Sequence, residues 1–457
     1  MYESCILDVM SKLENRVDMI NSPILKSMLL LSLPLIFSYL IQLLFNAADI
    51  VVVGKFAGEK CLAAVSSTTA LVNLITCLFV GMSVGTNVIV ARLVGRQDYG
   101  NIPSSIHTLI AFAIVTGIGL MVLGLFIAEP SLRLMNCPDE IIDLATIYLK
   151  IYFLGMPGLI VYNFGSAVLR AVGDTKRPLV LLVISGFVNV VLNLVLVIVF
   201  KLDVVGVAIA TAVSQTLSAT LILSILVKED DYFHLDFRKL KIERKPLIEI
   251  IKVGLPAGIV SSSFSISNVI LQTYINALGT TVVAASGASS SLESFANGVV
   301  QGICVGETTY VSQNYGAKKY ERIKKAVYAT LVISLVWCAF FAILTYFFGN
   351  QLFHIYTNNG PVIEQGMIRL RIILYTYYTF ALMQIGVGAL RGIGYSSTPA
   401  IISIIGVCGV RLFLVWFVFK KLDFFHIMIT YPISWIVSLI ILWIMFVIKF
   451  IKLKKLY

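Results

Sequence analysis

The apolar residues of this chain come in runs of 20 or more, and this feature restricts the possible folds more than any other. Runs of that length are too long for the core helices of a soluble domain and match the thickness of a bilayer. Only 13% of the residues are charged, whereas a soluble chain has about 25%. We therefore predict a protein that crosses a membrane many times.

The apolar runs lack the alternation, over segments of about ten residues, that marks a membrane β-barrel. Backbone groups in lipid must be satisfied internally, which leaves α-helices. The predicted fold class is an all-α integral membrane protein with twelve transmembrane helices. The expected spans are residues 25–53, 62–91, 105–128, 140–165, 178–200, 204–227, 247–275, 281–312, 326–349, 362–389, 399–419 and 424–450.

Positive charge is distributed unevenly among the predicted connections. If the N-terminus is cytoplasmic, inner segments hold 25 of the 35 Lys and Arg and outer loops hold 6. This bias predicts a plasma (inner) membrane protein with both termini in the cytoplasm. The net charge of +11 then reflects topology and contact with lipid headgroups, and we expect no nucleic-acid partner. Residues 1–24 have no apolar core of the kind found in signal peptides.

The second half of the chain repeats the first. A single offset of 221 in the numbering superimposes glycines, an arginine and a proline. The pairs are Gly58 and Gly279, Gly81 and Gly302, Arg170 and Arg391, Gly173 and Gly394, and Pro178 and Pro399. The offset between Pro34 and Pro256 is 222, so a slip of one residue precedes Gly58. The segments "LRAVGDTKRP" (169–178) and "LRGIGYSSTP" (390–399) are therefore two copies of one loop.

Six spans per copy give a parallel repeat with a pseudo-two-fold along the membrane normal. Transporters with this architecture rock two lobes about a central site. A duplicated scaffold could be purely structural, but polar residues within the spans favour transport. The predicted regions are a cytoplasmic N-terminal segment (1–24), an N-lobe (25–228), a cytoplasmic linker (229–245), a C-lobe (246–450) and a basic cytoplasmic tail (451–457).

Asp49, in "FNAADIVVVG", interrupts the first span, where a charge costs about 2.5–3.5 kcal/mol. Gln42, Asn46 and Asp49 share one helical face, which must contact protein or a water-filled cavity. The fifth span has Asn189 and Asn193 one turn apart.

Thr211 of the sixth span is expected in the same layer as Asp49 and the two asparagines. Carboxylate, amide and hydroxyl oxygens suit a hard cation. The alternative is that Asp49 caps a helix end while the amides and the hydroxyl hold helices together.

Glu293, Asn297 and Gln301 recur every four residues in the eighth span. Glu293 is expected near mid-membrane, where it requires protonation or a partner. It could contact substrate or protons, or form a hydrogen bond that locks the lobe. Glu307 is expected at the cytoplasmic interface, and Arg411 in the eleventh span requires a partner that the sequence does not identify.

The chain resembles the multidrug and toxic compound extrusion (MATE) family from about residue 25 onward. The resemblance rests on the duplicated twelve-span plan, on "LRAVGDTKRP" and its repeat, on "VGRQDYGN" matched by "YGAKKYER", and on the aspartate of "AADIVVVGKFAG". It implies an antiporter that exports cationic or amphipathic compounds in exchange for sodium or protons. No cofactor beyond that coupling ion is implied.

Members of the family have a cation site built from an aspartate in the first span, an asparagine and an aspartate in the fifth, and a threonine in the sixth. These positions fall on Asp49, Asn189, Asn193 and Thr211, which the resemblance therefore implies as cation ligands. Asn193 departs from the pattern because it is not an acid. The seventh span, "LPAGIVSSSFSISN", also lacks a glutamate that some members have, so we expect no C-lobe ion site of that type.

The coupling ion could be sodium or a proton. Several oxygen groups around one acid favour sodium, although Asn and Thr could equally hold a protonated Asp49. A substrate cavity is expected along Tyr39, Gln42, Asn46, Glu293, Asn297 and Gln301. Loop or gating roles are expected for Arg170, Gly173, Arg391 and Gly394. Expected partners are membrane lipids and small cationic or amphipathic substrates, with the protein a monomer.

Three other classes were compared with this interpretation. "ARLVGRQDYG" superficially resembles a loop of major-facilitator transporters but lacks the aspartate before its arginine. Lipid-linked precursor flippases usually have more spans and cationic cavities, whereas the buried charge of the N-lobe is acidic. None of the four His and seven Cys falls at catalytic or metal-ligand spacing, so we do not expect an enzyme.

Overall fold

The computed structural model describes residues 16–135, 137–418 and 423–456, which are folded almost entirely into helices. The all-α prediction is confirmed. Residues 1–15 of the predicted N-terminal segment, including Cys5, and residue 457 of the predicted tail lie outside the described residues.

The helices are α1 (Ile24–Val52), α2 (Glu59–Arg96), α3 (Asn101–Leu134), α4 (Asp139–Leu154), α5 (Met156–Ala171), α6 (Lys176–Leu194), α7 (Asp203–Lys228), α8 (Arg244–Asn276), α9 (Thr280–Gly316), α10 (Tyr320–His354), α11 (Gly360–Gly392), α12 (Ser397–Ser403), α13 (Val410–Phe413) and α14 (Phe424–Leu456).

Short helical turns of other types extend or join these helices. π-Helical turns follow α1 (Val53–Ala57) and α6 (Val195–Val199), and two more lie on either side of α13 (Ile404–Gly409 and Leu414–Val418). A single 3-10 turn, Phe237–Lys239, lies in the described part of the connection between α7 and α8. Because π-helical turns locally widen a helix, they change the direction in which nearby side chains point.

Ten helical segments among the described residues are long and apolar enough to cross a membrane. α4 and α5 meet at a bend of 43° and could form an eleventh as one broken span. α9, predicted as the eighth span, has 37 residues but is rich in Gly, Ser and Thr, so its composition alone does not identify it as a span. The count of twelve therefore stays a prediction.

The backbone repeats at the same interval as the sequence. Positive φ angles recur at the offset of 221, at the starts or ends of corresponding helices. The pairs are Gly58 (φ 90°) and Gly279 (φ 98°), Gln97 (φ 57°) and Lys318 (φ 57°), and Gly173 (φ 94°) and Gly394 (φ 99°). The glycines adopt this conformation readily because they have no Cβ. The repeat seen in the sequence therefore extends to the local conformation of the chain.

The described chain divides into two compact units. Unit 1 consists of residues 16–18 and Leu40–Gly254, and unit 2 consists of Met19–Tyr39 and residues 255–456. The boundaries fall inside α1 and α8 rather than in the predicted linker, 229–245. The first part of α1 therefore belongs to unit 2, and the first part of α8 belongs to unit 1.

Close helix contacts explain these boundaries. In unit 1, a Cβ at Gly85 of α2 would lie 2.5 Å from the backbone of Gly254 on α8. In unit 2, a Cβ at Gly306 of α9 would lie 2.7 Å from Ser32 Oγ on α1. Small residues allow helices in a membrane to approach this closely. Gly85 and Gly306 are related by the same offset as the rest of the repeat, so the two units contain repeat-related versions of one contact.

Each unit has its own apolar core. In unit 1, α5 packs against α2, α3 and α7, and Phe164, Val168 and Leu169 of α5 have no exposed surface. In unit 2, α11 packs against α9, α10 and α14, and Met383 and Leu390 are fully buried. The candidate polar residues therefore lie on helices that are fixed by packing on several sides.

Candidate functional site

Asp49 lies in the last turn of α1, just before the π-helical turn Val53–Ala57. Its side chain is half-buried, and Asn193 of α6 donates a hydrogen bond from Nδ2 to Asp49 Oδ1 at 2.5 Å. A hydrogen bond to a carboxylate is charge-assisted and stronger than one between neutral groups. The carboxylate predicted from the first span is thus joined directly to the fifth.

α6 positions two asparagines because residues four apart lie on one face of a helix. Asn193 Nδ2 lies 3.3 Å from Asn189 Oδ1, and Asn189 Nδ2 lies 3.4 Å from Ser214 Oγ on α7. Asn193 is completely buried and Asn189 is 6% exposed. The side chains form a continuous polar connection from α1 through α6 to α7.

One atom of this connection is left over. Oδ1 of Asn193 is buried and has no hydrogen-bond partner among the described residues. Leaving a buried acceptor unsatisfied costs about 1–3 kcal/mol. The amide of Asn193 therefore donates to Asp49 through its nitrogen, while its oxygen remains available as an acceptor.

Thr211 of α7 is placed differently from the two asparagines. Its hydroxyl donates to the carbonyl oxygen of Val207 on its own helix at 3.0 Å, and no hydrogen bond to Asp49 is recorded. A Thr hydroxyl keeps its acceptor lone pairs when it donates to the backbone. Thr211 is therefore available as an oxygen ligand in the same cavity as Asp49, without being part of the hydrogen-bonded chain.

A cavity of about 160 Å³ lies within unit 1 at this polar cluster. Three of the four predicted cation ligands, Asp49, Asn189 and Thr211, line it together with Gln42 and Asn46. The remaining polar lining residues are Tyr162, Asn163, Ser185, Ser214, Gln215 and Ser218. Asn193, the fourth predicted ligand, does not line the cavity, but it donates a hydrogen bond to Asp49, which does.

Several lining residues were not identified from the sequence. Ser214 and Ser218 follow Thr211 at intervals of three and four, so helical periodicity could have identified them. Asn163 has the only amide side chain on α5 and gave no repeating signal. Its Nδ2 donates to the carbonyl oxygen of Leu159 at 2.8 Å. Tyr39, predicted for the cavity, belongs to unit 2 and does not line it.

Glu293 of α9, an acid expected near mid-membrane, has a charged partner. Arg369 of α11 donates Nε–H to Oε1 at 2.7 Å and Nη2–H to Oε2 at 2.8 Å. Arg369 also donates to Ser286 Oγ at 2.6 Å. The two charged side chains are 13% and 8% exposed. The carboxylate is thus occupied by a bidentate ion pair, as the lobe-locking alternative anticipated.

Asn297 and Gln301 do not extend this ion pair. Asn297 is exposed and Gln301 is half-buried. Gln301 Nε2 lies 3.5 Å from Asn297 Oδ1, at the limit of a hydrogen bond. The predicted stripe is present on α9, but the structure links its members only weakly.

Arg411 lies in α13 between two π-helical turns and is 1% exposed. Its Nε donates to Ser434 Oγ at 2.9 Å, and its Nη1 lies 3.2 Å from Asn268 Oδ1 and 3.4 Å from Ser267 Oγ. The guanidinium carbon is 4.2 Å from the centre of the Tyr431 ring. Neutral groups and an aromatic face therefore surround this cation, and no carboxylate in the described chain pairs with it.

The expected position of Glu307 near the cytoplasmic interface stays a prediction. Its side chain has no exposed surface, and neither carboxylate oxygen has a hydrogen-bond partner among the described residues. Glu307 lies about two and a half turns before the end of α9 at Gly316.

The predicted loop residues flank turns of matching geometry. Arg170 and Arg391 lie in the last turns of α5 and α11, and both side chains are half-buried. Gly173 and Gly394 follow with positive φ angles. The carbonyl oxygen of Gly173 accepts a hydrogen bond from the backbone N–H of Val17 at 3.1 Å.

An ion-pair network beside the first of these turns was missed by sequence reasoning. Arg177 is buried and contacts the carboxylates of Asp174 and Glu229. Arg16 donates to Glu229 at 3.2 Å and to Asp231 at 2.5 Å. Asp174 lies three residues before Arg177, whereas Arg16 is far from its acids in the sequence, so only the first contact had a sequence signal.

No group of three or more His, Cys, Asp or Glu in the described chain could hold a metal ion. The cluster around Asp49 therefore has one acid and several neutral oxygen groups. A single negative charge matches a monovalent cation or a proton better than a divalent metal.

The MatE family model matches this chain twice, over residues 34–195 and 256–417. Each matched stretch covers one copy of the internal repeat. The probable multidrug resistance protein YoeA of Bacillus subtilis (strain 168) is 26% identical over 429 residues, which is 92% of each chain. The multidrug export protein MepA of Staphylococcus aureus (strain MRSA252) is 24% identical over 407 residues, which is 88% of each chain.

Solved structures of similar fold cover nearly the whole chain. The outward-facing conformation of a multidrug resistance MATE family transporter of the MOP superfamily has a TM-score of 0.89 at 23% identity and covers 96% of this chain and 99% of that chain. The crystal structure of MATE in complex with MaL6 gives the same values. At this identity the likeness establishes the fold alone.

Proposed function

Because the chain belongs to the MatE family of membrane transporters, we propose that it exports cationic or amphipathic compounds in exchange for a cation that binds at Asp49. Membership of this family also means that the chain is neither an enzyme nor a major-facilitator transporter. Multidrug export is the activity named for the relative in Staphylococcus, and probable multidrug resistance is named for the relative in Bacillus. For this chain it is supported by the chemistry of the site in unit 1.

The observation that carries the proposal is an acid without a basic partner at the wall of a cavity in unit 1. Asp49 accepts a hydrogen bond from Asn193, and no cation of the described chain forms an ion pair with it. A carboxylate at membrane depth is expensive without a counter-charge. The neutralising charge must therefore come from outside the chain, as a bound cation or a proton.

The size of the cavity separates the ion from the exported compound. A water molecule takes up about 30 Å³ of liquid, so 160 Å³ holds an ion with a few waters. Drug-sized ligands need about 300–1,000 Å³. We therefore assign this cavity to the coupling ion and place the exported compound elsewhere in the protein.

Sodium is the ion that the donor set favours. Asp49, Asn189 and Thr211 present a carboxylate, an amide and a hydroxyl oxygen to the cavity. The amide of Asn193 turns its nitrogen towards Asp49 and keeps an unpartnered oxygen. Rotation of that amide by half a turn would exchange the two atoms and add a further oxygen, so a sodium ion would replace an N–H donor as the neighbour of Asp49.

The exchange cycle follows from binding that differs between two conformations. A cation entering from outside binds at Asp49 and favours the state that releases the exported compound outward. The return to the inward-facing state carries the ion into the cell. Such coupling requires that the ion has different affinities for the two states. The two copies of the repeat serve as the two lobes of this movement.

The membrane setting is proposed from the sequence pattern. The chain crosses the plasma membrane twelve times, with α9 as the eighth span and both termini in the cytoplasm, in agreement with the excess of Lys and Arg in the inner segments. It works as a monomer in contact with lipids and uses no cofactor besides the coupling ion.

Replacing Asp49 tests the proposal directly. Purified wild type and Asp49→Asn are reconstituted in liposomes, and dye efflux is driven by a sodium gradient with the pH clamped. Asp49→Asn should abolish ion-driven efflux, because an amide keeps the shape of the site but cannot neutralise a cation. Thr211→Ala and Asn193→Ala should weaken the dependence on sodium, since each removes one oxygen.

Asp203→Asn is the matched control. Asp203 is exposed at the start of α7 and loses the same charge without touching the cavity. Its efflux should equal that of the wild type. Failure of a sodium gradient to drive the wild type, with full recovery by a proton gradient alone, would make Asp49 a proton carrier instead. Efflux by Asp49→Asn at the rate of the wild type would remove the carboxylate from the mechanism.

A further inference from the structure

Glu307 of α9 is a buried acid that the transport site described above does not use. It has no exposed surface, and both of its carboxylate oxygens lack hydrogen-bond partners among the described residues. An ionised carboxylate in such a place would need a paired charge or several donors, and without them the group becomes neutral. The side chain therefore carries its proton in this arrangement of unit 2.

The facing helix, α11, leaves space for this carboxyl group. Gly388 of α11 has only hydrogen atoms where a side chain would begin. A Cβ added there would lie 2.7 Å from Glu307 Oε2 and 2.9 Å from Thr308 Oγ1. Contacts that short do not occur for real Cβ atoms, so an alanine at position 388 would require the ends of these two side chains to shift.

The equivalent positions in unit 1 carry a different pair. By the offset of 221, Glu307 corresponds to Thr86 and Gly388 corresponds to Ala167. Unit 1 thus has a small polar residue opposite alanine, and unit 2 has a larger acid opposite glycine. Relative to unit 1, unit 2 has a larger residue on α9 and a smaller residue on α11. The smaller residue on α11 compensates for the larger side chain of the acid.

The charged and titratable groups around Glu307 are few. Cys304, one turn earlier on α9, interacts electrostatically with both Glu307 and Arg391 of α11. Cys338 of α10 and Tyr377 of α11 also interact electrostatically with Cys304. α1 packs at Gly306 with Ser32, which does not titrate.

Arg391 carries a fixed positive charge in this neighbourhood. It lies one turn after Gly388 on α11, and its Nε is buried without a hydrogen-bond partner in the described chain. A buried acid and a half-buried arginine thus lie on the same pair of helices without forming an ion pair. Two such groups would gain from pairing if the acid were ionised.

We propose that Glu307 is a proton-binding site of unit 2, protonated while α9 and α11 pack as they do here and deprotonated when that packing opens. On opening, the O–H bond breaks, the proton passes to water, and the carboxylate left behind pairs with Arg391. Proton binding then favours the closed packing of α9 against α11, because only the neutral acid fits between them. The site is separate from Asp49, which belongs to unit 1.

Infrared spectroscopy tests the site without any transport measurement. The protein is studied at pH 7 in an Asp49→Asn background, so that the carboxyl group in unit 1 does not contribute. The carbonyl band of a protonated carboxylic acid should be present in Asp49→Asn and absent in Asp49→Asn/Glu307→Gln. Identical spectra would mean that Glu307 is ionised in the folded protein and would overturn the proposal.

A second pair of variants keeps the test valid if Glu307→Gln folds poorly. Glu307→Thr combined with Gly388→Ala installs in unit 2 the residues that unit 1 has at Thr86 and Ala167. This double variant should unfold at a Tm no lower than the wild type and should lack the acid band. Gly388→Ala alone should lower Tm slightly, since the ends of the Glu307 and Thr308 side chains must move away from its Cβ. A Tm for Gly388→Ala above that of the wild type would contradict the fit between the two helices.

The role of this proton in transport rests on the proposed export function and is tested separately. With a sodium gradient as the only driving force, efflux by the wild type should vary with internal pH, and efflux by Glu307→Gln should vary less. An unchanged pH profile with a confirmed acid band would remove Glu307 from the transport cycle. Absence of efflux in the wild type would instead count against the proposed function and would leave the infrared result standing.

Discussion

The cation cavity of unit 1 and the corresponding interior of unit 2 differ in how their buried charges are balanced. In unit 1, Asp49 stands beside a cavity and is held by an amide donor, without a basic partner in the described chain. In unit 2, Glu293 is held by Arg369 through two short hydrogen bonds, and Arg411 is a buried cation surrounded by hydroxyl, amide and aromatic groups. Asp49 is open to an external ion, whereas Glu293 and Arg411 are balanced by groups of the chain itself.

The internal repeat makes this contrast more specific. An offset of 221 places Arg411 against Val190, next to Asn189, and the offset of 222 that relates the two prolines places Asn268 against Asn46. The region of unit 2 that corresponds to the cation cavity thus contains a guanidinium bonded to an asparagine at 3.2 Å. A covalently attached cation at that position leaves no need for an exchangeable one, so exchange of the coupling ion is expected at Asp49 in unit 1.

The largest effect is expected from breaking the ion pair of unit 2. Arg369→Gln leaves Glu293 buried without its counter-charge, which should lower the free energy of unfolding by about 3 to 5 kcal/mol. Adding Glu293→Gln should recover much of that loss, since the orphaned charge is removed. Thermal unfolding in detergent measures both variants.

Arg371→Gln is the control for this experiment, because Arg371 lies two residues away on α11 and is exposed. It should change Tm little. If Arg369→Gln and Arg371→Gln were equally mild, the pair with Glu293 would have no structural role, and Glu293 would again be a candidate for substrate contact.

A smaller effect of opposite sign is expected at Arg411. Its guanidinium is desolvated and has no carboxylate partner in the described chain, so Arg411→Met should raise the free energy of unfolding by on the order of 1 kcal/mol. Ser434 keeps a hydrogen bond to the carbonyl oxygen of Tyr431 at 2.7 Å when Arg411 is absent. Thermal unfolding of Arg411→Met against the wild type checks the sign.

Arg411→Lys separates charge from packing in the same measurement, since it keeps the cation but loses the planar fork over Tyr431. It should be less stable than Arg411→Met. A fall in Tm for Arg411→Met as large as that of Arg369→Gln would show that Arg411 has a strong partner, and the contrast between the units would fail.

The sequence predicted features that depend on local periodicity. Runs of apolar residues predicted an all-helical chain, and positions four or seven apart on one helix brought Gln42, Asn46 and Asp49 to the same cavity. The position of Asn189 and Asn193 one helical turn apart, on one face, was predicted for the same reason. Residues on one helical face stay together whatever the rest of the fold does, so such patterns can be read without the structure.

Features that depend on which helices meet could not be read in this way. Glu293 and Arg369 are 76 residues apart, and nothing in the spacing of either helix indicates that they pair. Thr211 lines the cavity with Asp49, but its spacing did not indicate that its hydroxyl donates to Val207 on its own helix. The burial of Glu307 also depends on which helices meet, since Gly388 of α11 lies against its carboxyl group.

The smallest expected effect compares one acid near the surface of each unit, exposed Asp423 and half-buried Asp236, both outside the predicted spans. The backbone N–H of His426 lowers the pKa of Asp423 in unit 2, and the backbone N–H of Arg238 lowers the pKa of Asp236 in unit 1. A lowered folded-state pKa contributes stability that is present above the unfolded pKa and is lost as the pH falls through the folded value. Asp423→Asn and Asp236→Asn should each slightly flatten the fall of Tm on acidification, because the amide oxygen still accepts the hydrogen bond but does not titrate. Both changes should be small, since solvent screens charges near the surface.

A variant whose Tm falls with acid as steeply as that of the wild type would show that its carboxylate does not contribute to stability. A large change at one site alone would mean that the two units differ in acid stability at their surfaces as well as in their interiors.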